Sequence, residues 1–250
     1  MIGKSFRTLL RLTVIFCAVT MSAYMIWRQA GAPVPKLGGP PANVLEAAAA
    51  ADRRLAARRL ARGLPVYIRI FKQESQLELW LQKAGRWRLF DTFSICKWSG
   101  RLGPKLREGD RQAPEGFYSV TRASLNPYSS NYLAFNLGFP NAFDRAHGRT
   151  GSHLMVHGDC QSIGCYAMTD AGIAVIYGLV DAALKNGQAS VPVHIFPFQM
   201  TEKNLSRHAR SKWQPFWRQL RPAWQQFELT RNVPGVQVIG KRYVIGRPDA

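Results

Sequence analysis

Hydrophobic and polar positions alternate along the middle of the chain, a pattern typical of β-strands. It predicts a hairpin from residues 66–71 and 77–81, followed by a third strand over 87–95. A long loop of Gly, Pro and charged residues then runs from Ser99 to Gly116. Alternation resumes at the end of this loop, over 113–120, and the further strand candidates are 132–137, 152–156 and 191–198.

One helix is predicted between these strands. Thr169 predicts the N-cap of the helix, and Gly187 predicts its end. The apolar positions that would form its buried face are Ile173, Ile176, Tyr177, Val180 and Leu184. Residues 64–200 are therefore expected to form a mainly β domain with one well-defined helix packed on it.

A Pro/Gly-rich linker and an Ala/Arg-rich helix are expected before this domain, over residues 31–63. Asn43 predicts the N-cap of that helix, and Arg62 its last residue before Gly63. The arginines at 54, 58 and 62 repeat at four-residue steps on one face. Such a row faces an anionic membrane or, more commonly, plain solvent.

The segment after the domain, residues 201–250, is expected to be a helix and hairpin extension. Its helix, over 212–228, carries an aromatic stripe and contains Pro222. The hairpin follows over 236–245, around Gly240. We expect the aromatic stripe to pack against the domain.

The first thirty residues predict an export signal. Lys4, Arg7 and Arg11 precede a largely apolar run over residues 12–27. This pattern is typical of a signal peptide or a signal anchor over residues 1–30, and cleavage is left open. The chain is expected to be periplasmic, either released or anchored in the inner membrane by residues 12–27.

Charge and cysteine content narrow the function classes. The chain has 34 Lys and Arg residues against 15 Asp and Glu residues, so the formal net charge is +19. In an exported protein this charge favours anionic lipid or a carboxylate-bearing wall polymer over nucleic acid, and a merely solvated basic surface stays equally open. Four cysteines in 250 residues are too few for a disulfide-built scaffold.

The segment from His153 to Cys165 carries the candidate chemistry. His157 stands at the end of a predicted strand, and a short loop leads from it to Cys165, just before the predicted helix. This order exposes a thiol on a rigid platform. A catalytic thiol needs a neighbouring base, and imidazole is the side chain that can serve near neutral pH.

The same segment permits other interpretations. His153, His157, Cys160 and Cys165 form a set of zinc-type ligands, so a structural metal site is an alternative. Cys160 could pair with Cys165 in a disulfide, although a small buried side chain is the interpretation that we favour. Cys96 is expected in the core, and His194 is expected to be a structural histidine. No cofactor is expected.

Two motifs resemble the L,D-transpeptidase catalytic domain, the YkuD family. His157-Gly158 and the run from Ser162 to Cys165 resemble its HG…SxGC signature, and residues 113–117 resemble its [TS]PxGxF motif. The string from Gly103 to Asp170 is similar to the YafK-type branch. The resemblance covers roughly residues 66–200 and implies a β-sandwich-like domain with a catalytic cleft.

The resemblance also implies a mechanism. Cys165 would be the nucleophile and His157 the general base, with backbone N–H groups around Gly164 and Cys165 as an oxyanion hole and with Ser162 and Gly158 shaping the loop. The implied substrate is a peptidoglycan stem peptide, attacked at a carbonyl next to the L-centre of meso-diaminopimelate. The thioester would pass to an amine, as in a transpeptidase, or to water, as in an amidase that releases wall-linked lipoprotein.

Some positions depart from the family pattern. Ile163 and Ala167 stand where most of the family has His and Arg, which leaves the acyl acceptor open and keeps an inactive peptidoglycan-binding module as an alternative. Arg111, Arg145 and Arg149 lie in loops that flank the motif and are candidates for binding a substrate carboxylate. For each of them, a solvated arginine is the more common outcome.

Overall fold

The structure is a computed structural model that describes residues 42–246. The expected export signal and most of the linker lie outside these residues. The helices are α1 (Ala42–Ala57), α2 (Ala142–Ala146), α3 (Asp170–Lys185), α4 (Glu202–Arg207) and α5 (Gln214–Thr230). The strands are β1 (Val66–Phe71), β2 (Gln76–Lys83), β3 (Arg86–Ser94), β4 (Lys97–Trp98), β5 (Gly116–Val120), β6 (Leu125–Asn126), β7 (Ala134–Asn136), β8 (Met155–His157), β9 (Tyr166–Ala167), β10 (Val191–Phe196), β11 (Gly235–Ile239) and β12 (Arg242–Gly246). Across residues 42–246, the helices fall short of the length and apolar character that a membrane span requires.

Two five-stranded sheets form the body of the domain. Sheet A has the order β3-β2-β1-β10-β5, and sheet B has the order β4-β9-β8-β7-β6. Each sheet contains one parallel pair, β1 with β10 and β8 with β9, and its other pairs are antiparallel. The expectation of a two-sheet β domain is therefore confirmed in outline, but the sheets are mixed and several helices pack on them.

Sheet A is covered on both faces, which explains why every residue of β1 is buried. Ile68 and Ile70 belong to the main core, which sheet A shares with sheet B, α1 and α3. On the other face, Tyr67 and Phe71 lie in aromatic clusters with α5. The predicted packing of the aromatic tail against the domain is thus confirmed.

The predicted helix forms as α3. The Thr169 hydroxyl accepts a hydrogen bond from the Gly172 N–H at 3.0 Å and so caps the helix. The predicted apolar face is buried except for Tyr177, which is half-buried. Since α3 begins just after β9, it fixes the chain that leads out of the candidate site.

The predictions for α1 were wrong at both ends. Asn43 lies inside the helix, which ends at Ala57. Arg59 has a φ of 54°, and the Leu60 N–H bonds to the Leu55 carbonyl at 2.8 Å, so the chain turns there and buries Leu60.

Of the arginine row, only Arg54 lies within α1; Arg58 and Arg62 follow the helix and are exposed, and Arg62 pairs with Asp52. Arg54 forms an ion pair with Asp91 on β3. Arg58 donates to the Leu89 carbonyl on the same strand at 2.7 Å. Arg54 and Arg58 therefore join the end of α1 to sheet A.

Candidate active site

Cys165 directly precedes β9, which runs parallel to β8, and His157 is in register with Ala167. The sequence predicted a strand over 152–156, but the strand begins only at Met155. The reason is His153, whose φ of 52° is left-handed and incompatible with an extended strand. His157 therefore lies on β8, and Cys165 lies at the start of the neighbouring strand of sheet B.

The Cys165 thiol is held by the backbone at the start of β8 and just ahead of it. The Met155 N–H donates to Sγ at 3.4 Å, and the thiol donates to the His153 carbonyl at 3.6 Å. Cys165 is half-buried and forms no disulfide. The backbone contacts fix the sulfur while part of it stays accessible.

His157 ends β8 and is 3 % exposed. Its Nδ1 lies 2.6 Å from the Gly158 carbonyl oxygen, which can only accept, so this contact assigns the ring proton to Nδ1. In the neutral ring, the lone pair is then on Nε2. From the strand spacings, the Cα atoms of His157 and Cys165 are separated by about 8 Å, one strand across and two residues along.

Burial sets the resting protonation of both groups. It raises the pKa of the Cys165 thiol, against the opposing effects of the Met155 N–H and the Lys105 charge. It lowers the pKa of His157, against the Gly158 carbonyl and Asp159. The pair therefore rests as neutral thiol and neutral imidazole at neutral pH, which suits general-base catalysis rather than a preformed ion pair.

Ser162 organises the turn before the nucleophile. Its hydroxyl donates to the Cys165 carbonyl at 2.7 Å and accepts from the Gly164 N–H at 3.3 Å. Gly164 has a φ of 144°, a conformation that L side chains rarely adopt. Because the Gly164 N–H is directed to Ser162, the Cys165 N–H is the remaining donor of the predicted oxyanion hole.

Gly158 allows the loop to approach α3. A Cβ atom at Gly158 would lie 2.5 Å from the Asp170 Oδ1 and 2.9 Å from the Asn131 carbonyl oxygen. The same Asp170 oxygen accepts the Asp159 N–H at 2.9 Å. The loop after His157 is therefore fixed against the first turn of the helix.

The predictions for Cys96 and Cys160 were wrong. These two residues form a disulfide with each other, and both are exposed. The Cys96 N–H donates to the Ala167 carbonyl at 2.9 Å, and the Cys160 N–H donates to the Met168 carbonyl at 3.2 Å. The disulfide thus ties the 158–164 loop to the chain beside β9.

This disulfide also removes the zinc alternative, because Cys160 has no thiolate left to offer a metal. Within residues 42–246, no other group of three His, Cys, Asp or Glu side chains could hold a metal ion.

The three candidate arginines have different surroundings. Arg149 was expected in a loop as a candidate for binding a substrate carboxylate, but it is buried. Its Nη1 bonds to the Asp144 Oδ1 at 2.7 Å, and its guanidinium lies 4.9 Å from the Phe216 ring centroid. Arg145 is exposed and lines a cavity of about 440 Å³ with His194. Arg111 is exposed on the 99–116 loop. Of these three arginines, Arg111 and Arg145 are exposed and Arg149 is not.

His194 is structural, as predicted. It is 3 % exposed, and its Nδ1 lies 2.8 Å from the Tyr67 hydroxyl. Burial lowers the pKa of His194 to about 3, with a smaller effect of the Arg69 charge in the same direction. It therefore stays neutral at neutral pH.

Two residues beside the thiol were missed by the sequence analysis. Ser99 approaches the Ser162 hydroxyl at 3.3 Å through its own hydroxyl. Lys105 lies close enough for its charge to act on the Cys165 thiol. Both belong to the 99–116 loop, whose lack of periodicity gave no indication of which side chains turn inward.

Comparison with known proteins shows the family of the chain. The model of the L,D-transpeptidase catalytic domain, YkuD, matches residues 65–218. The chain therefore belongs to the L,D-transpeptidase catalytic domain family, as the two motifs implied.

Among its relatives is a protein of Escherichia coli strain K12 that is provisionally named L,D-transpeptidase YafK. The two are 54 % identical over 186 residues, which cover 74 % of this chain and 76 % of the relative. The protein of the same name from Escherichia coli O157:H7 matches equally.

Solved structures give weaker matches. The helical cell shape determining protein Pgp2 from Campylobacter jejuni is 18 % identical, with a TM-score of 0.42 over 76 % of this chain and 80 % of Pgp2. Bd1075 from Bdellovibrio bacteriovorus is 20 % identical, with a TM-score of 0.37 over 66 % of this chain and 58 % of that protein. The family assignment depends on the domain match and on YafK.

Proposed function

We propose that this chain is a cysteine-dependent enzyme of the cell wall that acts on peptidoglycan stem peptides. Cys165 attacks a carbonyl next to the L-centre of meso-diaminopimelate and forms a thioester acyl-enzyme. The acyl group then passes to an amine, which is transpeptidation, or to water, which is hydrolysis and would release a wall-linked lipoprotein. Both reactions share the acyl-enzyme half.

In the first step, Nε2 of His157 takes the proton of the Cys165 thiol while Sγ forms a bond to the carbonyl carbon. The carbonyl oxygen becomes an oxyanion, for which the Cys165 N–H is the available donor. The tetrahedral intermediate collapses, the C–N bond breaks, and the leaving amine takes the proton from the imidazolium. In the second step, His157 removes a proton from the acceptor as the acceptor attacks the thioester carbonyl. The C–S bond then breaks, and the imidazolium returns its proton to Sγ.

The observation that carries this proposal is the free, half-buried Cys165 thiol, held by the Met155 N–H one strand away from the Nδ1–H tautomer of His157. That tautomer leaves Nε2 able to accept a proton. The neutral resting state of the pair fits a mechanism in which the thiol loses its proton as it attacks.

Ile163 and Ala167 bear on the acceptor. Ala167 is fully buried, so it cannot contact an acceptor, whereas Ile163 is 82 % exposed beside the nucleophile. Neither position supplies a second polar group next to the thiol. His157 is therefore the one titratable side chain that we assign to activating the acceptor.

We further propose that the enzyme acts outside the inner membrane, in the periplasm. The apolar run over 12–27 supports export, and the Cys96–Cys160 disulfide supports an oxidising compartment, since disulfides are rare in the cytosol. The high positive charge of the chain suits an anionic wall or membrane surface.

The experiment uses purified protein and two substrates: diaminopimelate-containing muropeptides, and wall that carries covalently linked lipoprotein. Products are identified by mass spectrometry with and without an added amine acceptor. Cross-linked or amine-exchanged stem peptides would identify a transpeptidase, whereas free lipoprotein ends would identify an amidase. Retained wall binding with no product from either substrate would refute an enzyme and support an inactive binding module.

A further inference from the structure

Lys105 is a buried lysine that the mechanism above does not use. Its side chain is 3 % exposed, and its Nζ bonds to the Asp110 Oδ1 at 2.6 Å and to the Arg107 carbonyl at 2.9 Å. A lysine is rarely buried unless it is paired. The pair therefore fixes an ammonium group inside the 99–116 loop.

Asp110 is itself held firmly. Its carboxylate accepts the N–H groups of Leu106, Arg107 and Gln112 in addition to the Lys105 ammonium. Burial alone would raise the pKa of Asp110, but these hydrogen bonds lower it below its ordinary value. Asp110 thus stays charged and keeps Lys105 in one position.

Lys105 also packs against the segment that leads into β8. A Cβ atom at Gly151 would lie 2.5 Å from the Lys105 Cε, so this position has room only for glycine. Next to it, the Thr150 N–H donates to the Leu106 carbonyl at 3.1 Å. The Thr150 hydroxyl accepts the Glu108 N–H at 3.1 Å.

The supported segment holds the sulfur. Three residues after Thr150, the His153 carbonyl accepts the thiol, and the Met155 N–H donates to it. A continuous set of contacts therefore runs from the Lys105–Asp110 pair to Sγ.

The charge of Lys105 also acts on the Cys165 thiol. The titratable groups around the thiol are His157 on β8, His153 ahead of that strand, Tyr166 on β9 and Lys105 from the loop. His157 is neutral, and Tyr166 is buried with its pKa raised by burial. Lys105 is the group among residues 42–246 whose positive charge opposes the effect of burial on Cys165.

We propose that Lys105, held by Asp110, is a positioning residue of the active site: it supports the 150–155 segment that grips Cys165, and its ammonium group favours the thiolate as the proton leaves. Its role in the reaction rests on the proposed function. Its effect on the thiol does not, because thiolate formation can be measured without a substrate.

The test measures the alkylation rate of Cys165 by iodoacetamide against pH in the full chain, resolved by peptide mass spectrometry. Lys105→Met should raise the apparent pKa of the thiol and slow alkylation at pH 7 by about threefold to tenfold, with the rate recovering at high pH. Lys105→Arg should restore most of the rate because it keeps the charge. Lys97→Met, which removes an exposed lysine on β4, should stay within about twofold of wild type.

Asp110→Asn provides a second test. It removes the carboxylate oxygen that accepts the Leu106 and Arg107 N–H groups and so weakens the hold on Lys105. Alkylation at pH 7 should therefore slow, by less than in Lys105→Met, and should recover at high pH. Simple disruption of the loop would instead slow both variants at every pH, and that result would overturn the proposal. An unchanged pH profile in a folded Lys105→Met variant would overturn it as well. Thioester formation with stem peptide, measured separately, reports on the proposed function.

Discussion

The backbone N–H of Met155 donates a hydrogen bond of 3.4 Å to the Sγ of Cys165. Met155 is the first residue of β8 and His157 is the last. One three-residue strand therefore carries both the N–H group that binds the thiol and the proposed base. Residues two positions apart on a strand point to the same face. The reactive geometry therefore depends on the few contacts that hold β8, β9 and the loop between them.

Replacing the proposed base should slow acylation without preventing folding. His157→Gln should lower kcat/KM by about 10²–10⁴, because no other side chain takes the thiol proton. In wild type, the rate should fall as His157 becomes protonated, and because burial lowers the pKa of His157 this acidic limb should lie below the ordinary imidazole pKa of about 6.5.

The variant should lack this acidic limb, which a pH series of stem-peptide turnover would show. His147→Gln, which changes an exposed histidine, is the control and should retain the wild-type profile. An acidic limb that persists unchanged in His157→Gln would assign it to another group.

Removing the disulfide should loosen the site as well as the fold. Cys96 and Cys160 are 64 residues apart, a loop whose closure contributes about 4 kcal/mol to the free energy of unfolding in the chain-entropy account. The Cys96→Ser/Cys160→Ser variant should therefore unfold at lower urea. It should also acylate more slowly while it is folded, because its 158–164 loop has lost one anchor.

Mild reduction of the wild type should reproduce both effects, and reoxidation should reverse them. A folded double variant that acylates at the wild-type rate would show that the disulfide does not position Cys165.

Removing one partner of the buried ion pair between Lys72 and Glu115 should strongly destabilise the fold. Their side chains are fully buried, with Nζ 3.0 Å from Oε1, and Glu115 also accepts the Trp217 Nε1–H at 2.8 Å. Lys72→Met should lower the free energy of unfolding by about 3–5 kcal/mol, since it leaves a buried carboxylate without its cation.

Adding Glu115→Gln to Lys72→Met should restore part of that loss, because the uncompensated charge is removed. Urea unfolding of the single and double variants measures how much of the free energy of unfolding is restored. If the two single losses simply add in the double variant, the pair is not coupled.

His194 should make the fold sensitive to acid. Folding lowers the pKa of His194 from 6.5 to about 3. Between about pH 3 and pH 6.5 the unfolded chain therefore binds a proton at this residue and the folded chain does not. The contribution of His194 to the free energy of unfolding is therefore at its full value above about pH 6.5 and should fall by about 1.4 kcal/mol for each pH unit below it.

The double variant Tyr67→Phe/His194→Phe removes both partners of the buried hydrogen bond and so leaves neither unsatisfied. Its free energy of unfolding, measured by urea at pH 7 and pH 5, should depend less on pH than that of wild type. An equal slope in both proteins would show that His194 is not the acid-sensitive group.

Local patterns predicted the elements that bury an apolar face. The alternation over 66–71 became β1 with the same bounds, and Thr169 caps α3 as its hydroxyl and position indicated. These features are encoded within a few residues, so that they can be read from the sequence without knowing the rest of the fold.

Contacts between distant segments could not be predicted in the same way. Nothing near Cys160 indicates that its partner is Cys96, and nothing near Arg149 shows that Phe216 will lie against its guanidinium. One signal was available: besides Cys17 in the export segment, the chain has three cysteines, which fits one disulfide and one free thiol.

The acyl-enzyme itself tests the central claim most directly. The full chain is mixed with a carbapenem-type β-lactam and, separately, with a diaminopimelate-containing stem peptide, and its mass is measured before and after proteolysis. We predict one adduct per chain on the peptide that contains Cys165, absent from Cys165→Ser. An adduct that persists in Cys165→Ser, or a folded wild type that neither compound modifies, would contradict the account.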